Sequence, residues 1–512
     1  MNIKKWLPVV VFVLLTVFAG AALAEGNVAK IGATEYANFD DALKAAQNGD
    51  TIELLQNAVT DEGINLNNEL TVDGGASKYK LTFASKGIAL WSGSSLTFQN
   101  CKVEMMGIGA TPYKEWNWMA IQSQNGILNL TNAEMTMDGT GTATNATATH
   151  AIYYESSNGK FGQLNLTDSR LEIRNYSQDA LEWDGGDGGY YFNLTRSTFV
   201  SDKNRSGVTG TFVVTAKDSN FTVINSRGNG SNGSHFDFDN CKVEFNNNGG
   251  HGISASRLTV KDSTLDAKNN AYTGVTFLHN GTFTNSTVTI TGTKGTLGSS
   301  ASFRLGSSAA VGTVDKNTKL TIQDNQAPGI WLMKAGAKLT IEEGAQVLVT
   351  RNHAEQAIQM GAGINVISGS TATLSNSTQI YNNHALLAGD DLYVENGGKL
   401  TFGKTGSGWK LDGDPDCTDA ITGWYDDAKD ARWEAHASDD ENHIVLVDAG
   451  AYEAPLALKA AHGVLPPAPT AAPTAAPVPQ TGDHTPLHAL YALLALSLTA
   501  ALVLTLRRKA QR

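Results

Sequence analysis

Cysteine is almost missing from this chain: Cys101, Cys241 and Cys417 are three among 512 residues, and no CxxC pair occurs. So sparse and odd a set excludes a disulfide scaffold and a thiolate metal centre. Charge is also scarce, at 17% Asp, Glu, Lys and Arg, against about a quarter in ordinary domains. Cations are the rarer sign: 38 Lys and Arg against 50 Asp and Glu leave a formal charge of −12. A chain of that balance lacks the basic face that nucleic acid requires, so no nucleic-acid partner is expected. Long apolar runs are confined to the two ends, and six of the twelve prolines lie between Val464 and Pro479.

The first of those runs follows Lys4 and Lys5 and ends in Ala22-Leu23-Ala24. Basic start, apolar centre and small-residue end make residues 1–24 a secretory signal peptide. The second, Leu487–Leu506, has the length that spans a bilayer and is followed by Arg507, Arg508 and Lys509. It reads as a separate C-terminal transmembrane helix with its tail held inside. Just before it stand Val478, Pro479, Gln480, Thr481 and Gly482. Pentapeptide, apolar span and basic end together resemble the LPXTG sorting signal of Gram-positive surface proteins, with Val478 in place of Leu. The resemblance implies that sortase cleaves after Thr481 and joins it to peptidoglycan, with only transient membrane insertion of residues 487–506. It places the protein at the cell wall, on the outer surface of a Gram-positive bacterium. The proline-rich residues 464–477 then form an extended wall-spanning linker.

Within the body a motif recurs, as in LTFQNCKVEM from Leu96, LNLTDSRLEI from Leu164 and FDFDNCKVEF from Phe236. Its central marker falls at Asn100, Asn132, Asp168, Arg196, Asp218, Asn240, Asp262 and Asn285. The later markers are 22 or 23 residues apart, and the earlier spacings of 28 to 36 read as the same coil with inserted loops. A short period with alternating apolar residues on both sides of a turn predicts a stacked parallel β-solenoid over residues 25–405. Another strand precedes each marker, as in AIYYE from Ala151 and ALEWD from Ala180. Asn246–Asn248, Asn269, Asn270, Asn325, Asn352, Asn382 and Asn383 are expected to stack as corner ladders. Cys101 and Cys241 follow equivalent markers and are expected to be small buried free thiols.

A helix is predicted after Asn38, with Phe39, Ala42, Leu43 and Ala46 on one face and Gly49 at its end. It would cover the first coil. Helix, GDTI and strand resemble the opening of pectate-lyase-like surface proteins from gut Gram-positive bacteria. That resemblance implies a right-handed parallel β-helix. Residues 406–463, with Trp409, Trp424 and Trp433, break the repeat and read as a C-terminal cap.

Alternation places Ala89, Gln122, Tyr153, Glu182, Ser254, Thr276, Trp331, Gln359 and Tyr393 in one outward row. Aromatics mixed with amides and carboxylates suit sugar binding, so Trp116, Trp118, Tyr153, Trp331 and Tyr393 are glycan-contact candidates. Glu155, Glu182, Asp184 and Asp187 form the densest acidic spot. Carboxylates two residues apart on one face lie within the range of inverting glycosidases, and such a cluster can also recruit Ca²⁺. Glu155, Glu182, Asp184 and His251 are therefore the catalytic candidates, although the acids are expected first of all to be a solvated acidic edge. Gly250-His251-Gly252 resembles the GHG triplet of polygalacturonases but lacks the carboxylates that accompany it there, and a corner turn is expected instead. Asp412, Asp414 and Asp416 open like a Ca²⁺ loop but lack its Gly and Glu. No resident metal or other cofactor is expected. The leading expectation is adhesion or glycan binding without catalysis, its ligand a glycan or a host surface; the alternative is an exported polysaccharide lyase or glycoside hydrolase acting on pectin-like or host glycans, and a third reading is a passive structural spacer.

Overall fold

The computed structural model describes residues 26–402 apart from 113–117, 142–148, 157–160, 186–188, 355–359, 376, 382, 386–390 and 396. It also describes the strands Trp424–Tyr425, Ile444–Val445 and Gly450–Tyr452. The chain divides into two compact units, Met1–Gly463 and Val464–Arg512. The signal sequence, the linker, the sorting pentapeptide, the Leu487–Leu506 run, Trp116, Asp187, Gln359, Asn382, Cys417 and most of residues 406–463 lie outside the described residues. Among the described residues no helix is long and apolar enough to cross a membrane.

The body is a parallel β-solenoid. Each motif read from the sequence is two strands joined by a corner. Ser95–Gln99, for example, runs in a first sheet, Asn100 and Cys101 turn the chain, and Lys102–Met106 runs in a second. Leu128 pairs with Leu96 and Leu164, and Val103 with Leu81 and Met135, so like positions stack from coil to coil. A third sheet, from Ile64–Leu66 to Ser231–Asn232, contains the strands that precede the markers. Its row continues in the nine-residue strand Ile253–Lys261, whose first half pairs with Val275–Phe277 and whose second half pairs with Asn280–Thr284. From there onward two rows share one sheet.

The corners explain the sequence marker. Asn100, Asn132, Asp168, Arg196, Asp218, Asn240, Asp262 and Asn285 all have φ between 45° and 53°, the left-handed region that Asn and Asp tolerate best among residues with a Cβ. The side chains then bond along the stack: Asn132 donates to Asn100 at 2.9 Å and Asn240 to Asp218 at 2.6 Å. The following Ser positions form a second ladder, with Ser169 N–H donating to Ser197 Oγ and Ser197 N–H to Ser219 Oγ. Cys101 and Cys241 occupy this Ser register as buried free thiols. Burial raises the Cys101 thiol to about 12, and it raises Cys241 as well.

At the opposite corner the expected asparagines stack in two rows, an exposed one in which Asn269 donates to Asn247 at 3.1 Å, and a buried one. Asn248 donates to Asn270 at 3.0 Å, Asn325 to Asn352 at 2.7 Å and Asn352 to Asn383 at 2.8 Å. Between the ladders the inward residues form one continuous apolar core. Phe192, Phe199, Phe221, Phe236 and Phe245 run through its middle, with ring centroids about 5 to 6 Å apart.

Helix α1, Phe39–Ala45, is capped by Asn38, whose side chain accepts from Asp41 N–H at 2.8 Å. Phe39 and Ala42 are fully buried, while Leu43 and Ala46 pack partly covered against the core. The helix stops at Ala45, short of the expected Gly49. The Gln47 N–H is instead held at 2.7 Å by Asp50, and Glu69 O accepts from Gly49 N–H at 2.8 Å. A hairpin of Ala29–Ile31 and Thr34–Tyr36, which the sequence reading missed, lies antiparallel against Asp50–Leu54. At the far end Gly450–Tyr452 lies antiparallel against Lys399–Phe402.

Candidate functional site

On the third sheet, Gln122 registers with Ala89 and Tyr153, and Tyr153 with Glu182. Ser254, Thr276 and Trp331 align likewise, ending at Tyr393. The described members of the row expected from alternation do line up, with five additions that the sequence reading missed: Asn65, Thr209, Asn232, Arg304 and Asn365, the last on the coil to which Gln359 was assigned. Arg304 stands between Thr276 and Trp331, and Asn365 between Trp331 and Tyr393.

Two of the glycan-contact candidates are less available than expected. Tyr153 is 7% exposed and Trp331 8%. Alternation assigns a strand residue to a face but does not reveal how far that face is covered. Trp118 and Tyr393 are half-buried. Trp118 lies edge-on to Tyr153 with ring centroids 4.6 Å apart, so the two rings make one aromatic block.

The carboxylates converge on that block. Glu155 registers with Asp184 on the next coil, and the Tyr153 hydroxyl donates to Asp184 Oδ2 at 3.0 Å. Burial and then the Asp184 charge raise the Glu155 pKa, with the Gln122 side chain pulling the other way. Burial and the Asp184 hydrogen bond push the Tyr153 hydroxyl well above its ordinary range. The phenol therefore stays a proton donor at neutral pH.

Two further residues, His150 and Asp179, were not singled out in the sequence. The strand openings MAIQ, HAIYYE and DALEWD hold the signal, because Met119, His150 and Asp179 occupy equivalent places before the same small residue. His150 is 8% exposed and Asp179 3%. Nδ1 of His150 lies 2.6 Å from Oε2 of Glu182, close but out of line for a hydrogen bond. Asp179 accepts from Ser206, and burial raises its pKa.

His251 does not join this group. Its backbone N–H donates to Asn229 Oδ1 at 2.9 Å, as a corner residue would, and its ring lies against Tyr272. Burial and then the Arg304 charge lower its pKa to about 4. The glycines beside it serve a different purpose from the one expected. Neither has positive φ, and a Cβ on Gly252 would meet Asn270 Nδ2 at 2.5 Å and Gly274 O at 2.6 Å. Close approach of the neighbouring coil, not backbone freedom, requires glycine there.

Comparison with family models, curated proteins and solved structures finds no match. The functional reading consequently rests on the residues and their placement.

Proposed function

We propose that this chain is an exported, wall-anchored surface protein whose β-solenoid displays a glycan-binding face. The observation that carries the binding role is the union of Trp118, Tyr153, Glu155, Glu182 and Asp184 on neighbouring coils, an aromatic block bordered by carboxylates. Rings of this kind stack on the apolar face of a sugar, and carboxylates accept from its hydroxyls. Support for wall anchoring is the ordered tail of VPQTG, Leu487–Leu506 and basic end, with sortase acting at Thr481 and peptidoglycan as acceptor.

Binding without turnover is the leading form. Asp184 already accepts a hydrogen bond from the Tyr153 hydroxyl. A lyase or hydrolase acting on pectin-like or host glycans is the second reading, favoured by the raised pKa of Glu155 beside Asp184, an arrangement that suits a general acid.

Incubating the full chain with a glycan panel, and scoring both retention and new reducing or unsaturated ends, separates the two. Retention that falls about tenfold in Trp118→Ala and leaves no products supports binding. Products that disappear in Glu155→Gln support the enzyme. Absence of retention and products overturns both. For anchoring, Thr481→Ala should shift the protein out of the covalent peptidoglycan fraction. Undiminished covalent attachment of that variant overturns the sortase reading.

A further inference from the structure

His150, Asp179 and Glu182 each offer one ligand atom, and the three ligand atoms lie within 4.8 Å of one another. Among the polar atoms of these residues are His150 Nδ1, Asp179 Oδ1 and Glu182 Oε2. Each is buried and none has an aligned hydrogen-bond partner. A buried polar atom left unmatched costs about 1 to 3 kcal/mol, more when it is charged, so three unmatched atoms in one cluster of side chains call for a common partner. An ordinary ion pair would account for two of them but would leave Asp179 Oδ1 unmatched.

We propose that this triad is the binding site of a divalent first-row transition cation, with Zn²⁺ as the representative ion. One imidazole nitrogen with two carboxylate oxygens is a donor set that zinc accepts at about 2.0 to 2.2 Å. Ca²⁺ and Mg²⁺ prefer all-oxygen shells of six or more ligands and gain little from the imidazole. The site thus differs from the Ca²⁺ expectation for the acidic cluster in both ligands and ion. Surrounding contacts support it: Ser206 donates to Asp179 and orients that carboxylate, and the Trp118 ring stands edge-on to His150 at 5.7 Å. A hydrogen-bonding group such as Ser206 orients a ligand in this way in known metal sites. Three protein ligands leave one coordination position open for water or a ligand oxygen. In the structure His150 Nδ1 and Glu182 Oε2 stand at 2.6 Å, closer than the ~3.3 Å edge of a zinc tetrahedron with such bonds. Binding would therefore turn the Glu182 side chain slightly outward.

The test uses the untagged full chain, stripped with a chelator and dialysed against Zn²⁺ or Co²⁺. The expected result is one Zn²⁺ per chain beyond that retained by His150→Ala, and a visible Co²⁺ absorption band from bound nitrogen and oxygen ligands. Asp179→Asn should weaken Zn²⁺ binding at least about tenfold, while Glu244→Gln, on the second sheet away from the triad, should bind as the parent does. A rise in melting temperature with Zn²⁺ in the parent, absent from His150→Gln, gives a second readout that tolerates a destabilised variant. The proposal fails if His150→Ala retains the parent stoichiometry, if no Zn²⁺ binds, or if equimolar Ca²⁺ displaces Zn²⁺. Glycan retention is scored separately, and its outcome does not bear on this one.

Discussion

Asp138 closes a corner and is 7% exposed. Burial alone would raise its pKa, but hydrogen bonds from the Thr140, Asn175 and Arg174 side chains outweigh that and hold it well below the usual carboxylate range. Such a group contributes stability above its unfolded pKa, about 3.9, and loses that contribution as pH falls toward the folded value. The parent should therefore be more stable than Asp138→Asn at pH 6, and the difference should shrink steadily below about pH 4. Urea midpoints at several pH values check this. At the thiols, a Cys417→Ser variant should react with a thiol reagent at neutral pH only after unfolding, since burial holds Cys101 and Cys241 protonated and covered. Rapid labelling of the native variant would contradict that placement. Residue by residue, the corner markers were legible because a left-handed φ selects Asn and Asp within one turn of chain. His150 and Asp179 were not, since their meeting depends on coil stacking and on side-chain direction across sequence distance.

At the level of the strand and its corner, the asparagine ladder sets the strongest expectation. Asn352 donates to Ile322 O at 3.1 Å and to Asn383, and accepts from Asn325, while fully buried. Asn352→Leu should lower stability by about 2 to 5 kcal/mol, because it strands buried groups on two neighbouring coils. Denaturant unfolding measures the loss, and a change under 0.5 kcal/mol would remove the ladder from the account. Strand positions were largely readable from the 22-residue period, as was their inward and outward alternation. The nine-residue strand Ile253–Lys261 was not readable, because GISAS and RLTV appear as two separate runs and only pairing on both sides joins them. Exposure of the outward aromatics was equally hidden, since alternation assigns a residue to a face without showing how far that face is covered.

For the whole molecule, the stack presents two ends where backbone groups would otherwise lie open, a hazard for edge-to-edge association. Helix α1 and the hairpin beside it cover the first, and Gly450–Tyr452 pairs at the last. Phe39 is fully buried in that first closure. Phe39→Ala should cost about 3 to 5 kcal/mol, the usual loss for a buried ring, and should promote self-association, visible by light scattering at raised concentration. A variant that stays monomeric and equally stable would show that the helix is dispensable.

The equal spacing of Asn240 and Asp262 has a consequence for length. Excising residues 241–262 would set Ser263 directly after Asn240, where Cys241 now stands, with Leu265, Asn270 and Gly274 replacing Val243, Asn248 and Gly252. Each newcomer matches the old occupant in size class and hydrogen-bonding capacity, so the shortened chain should still fold cooperatively, one ~4.8 Å step shorter. Over its 22-residue coils such a molecule behaves as a ruler marked in equal divisions. Its reach can be altered by whole units, each removed together with the one outward position it contributes, as Ser254 here.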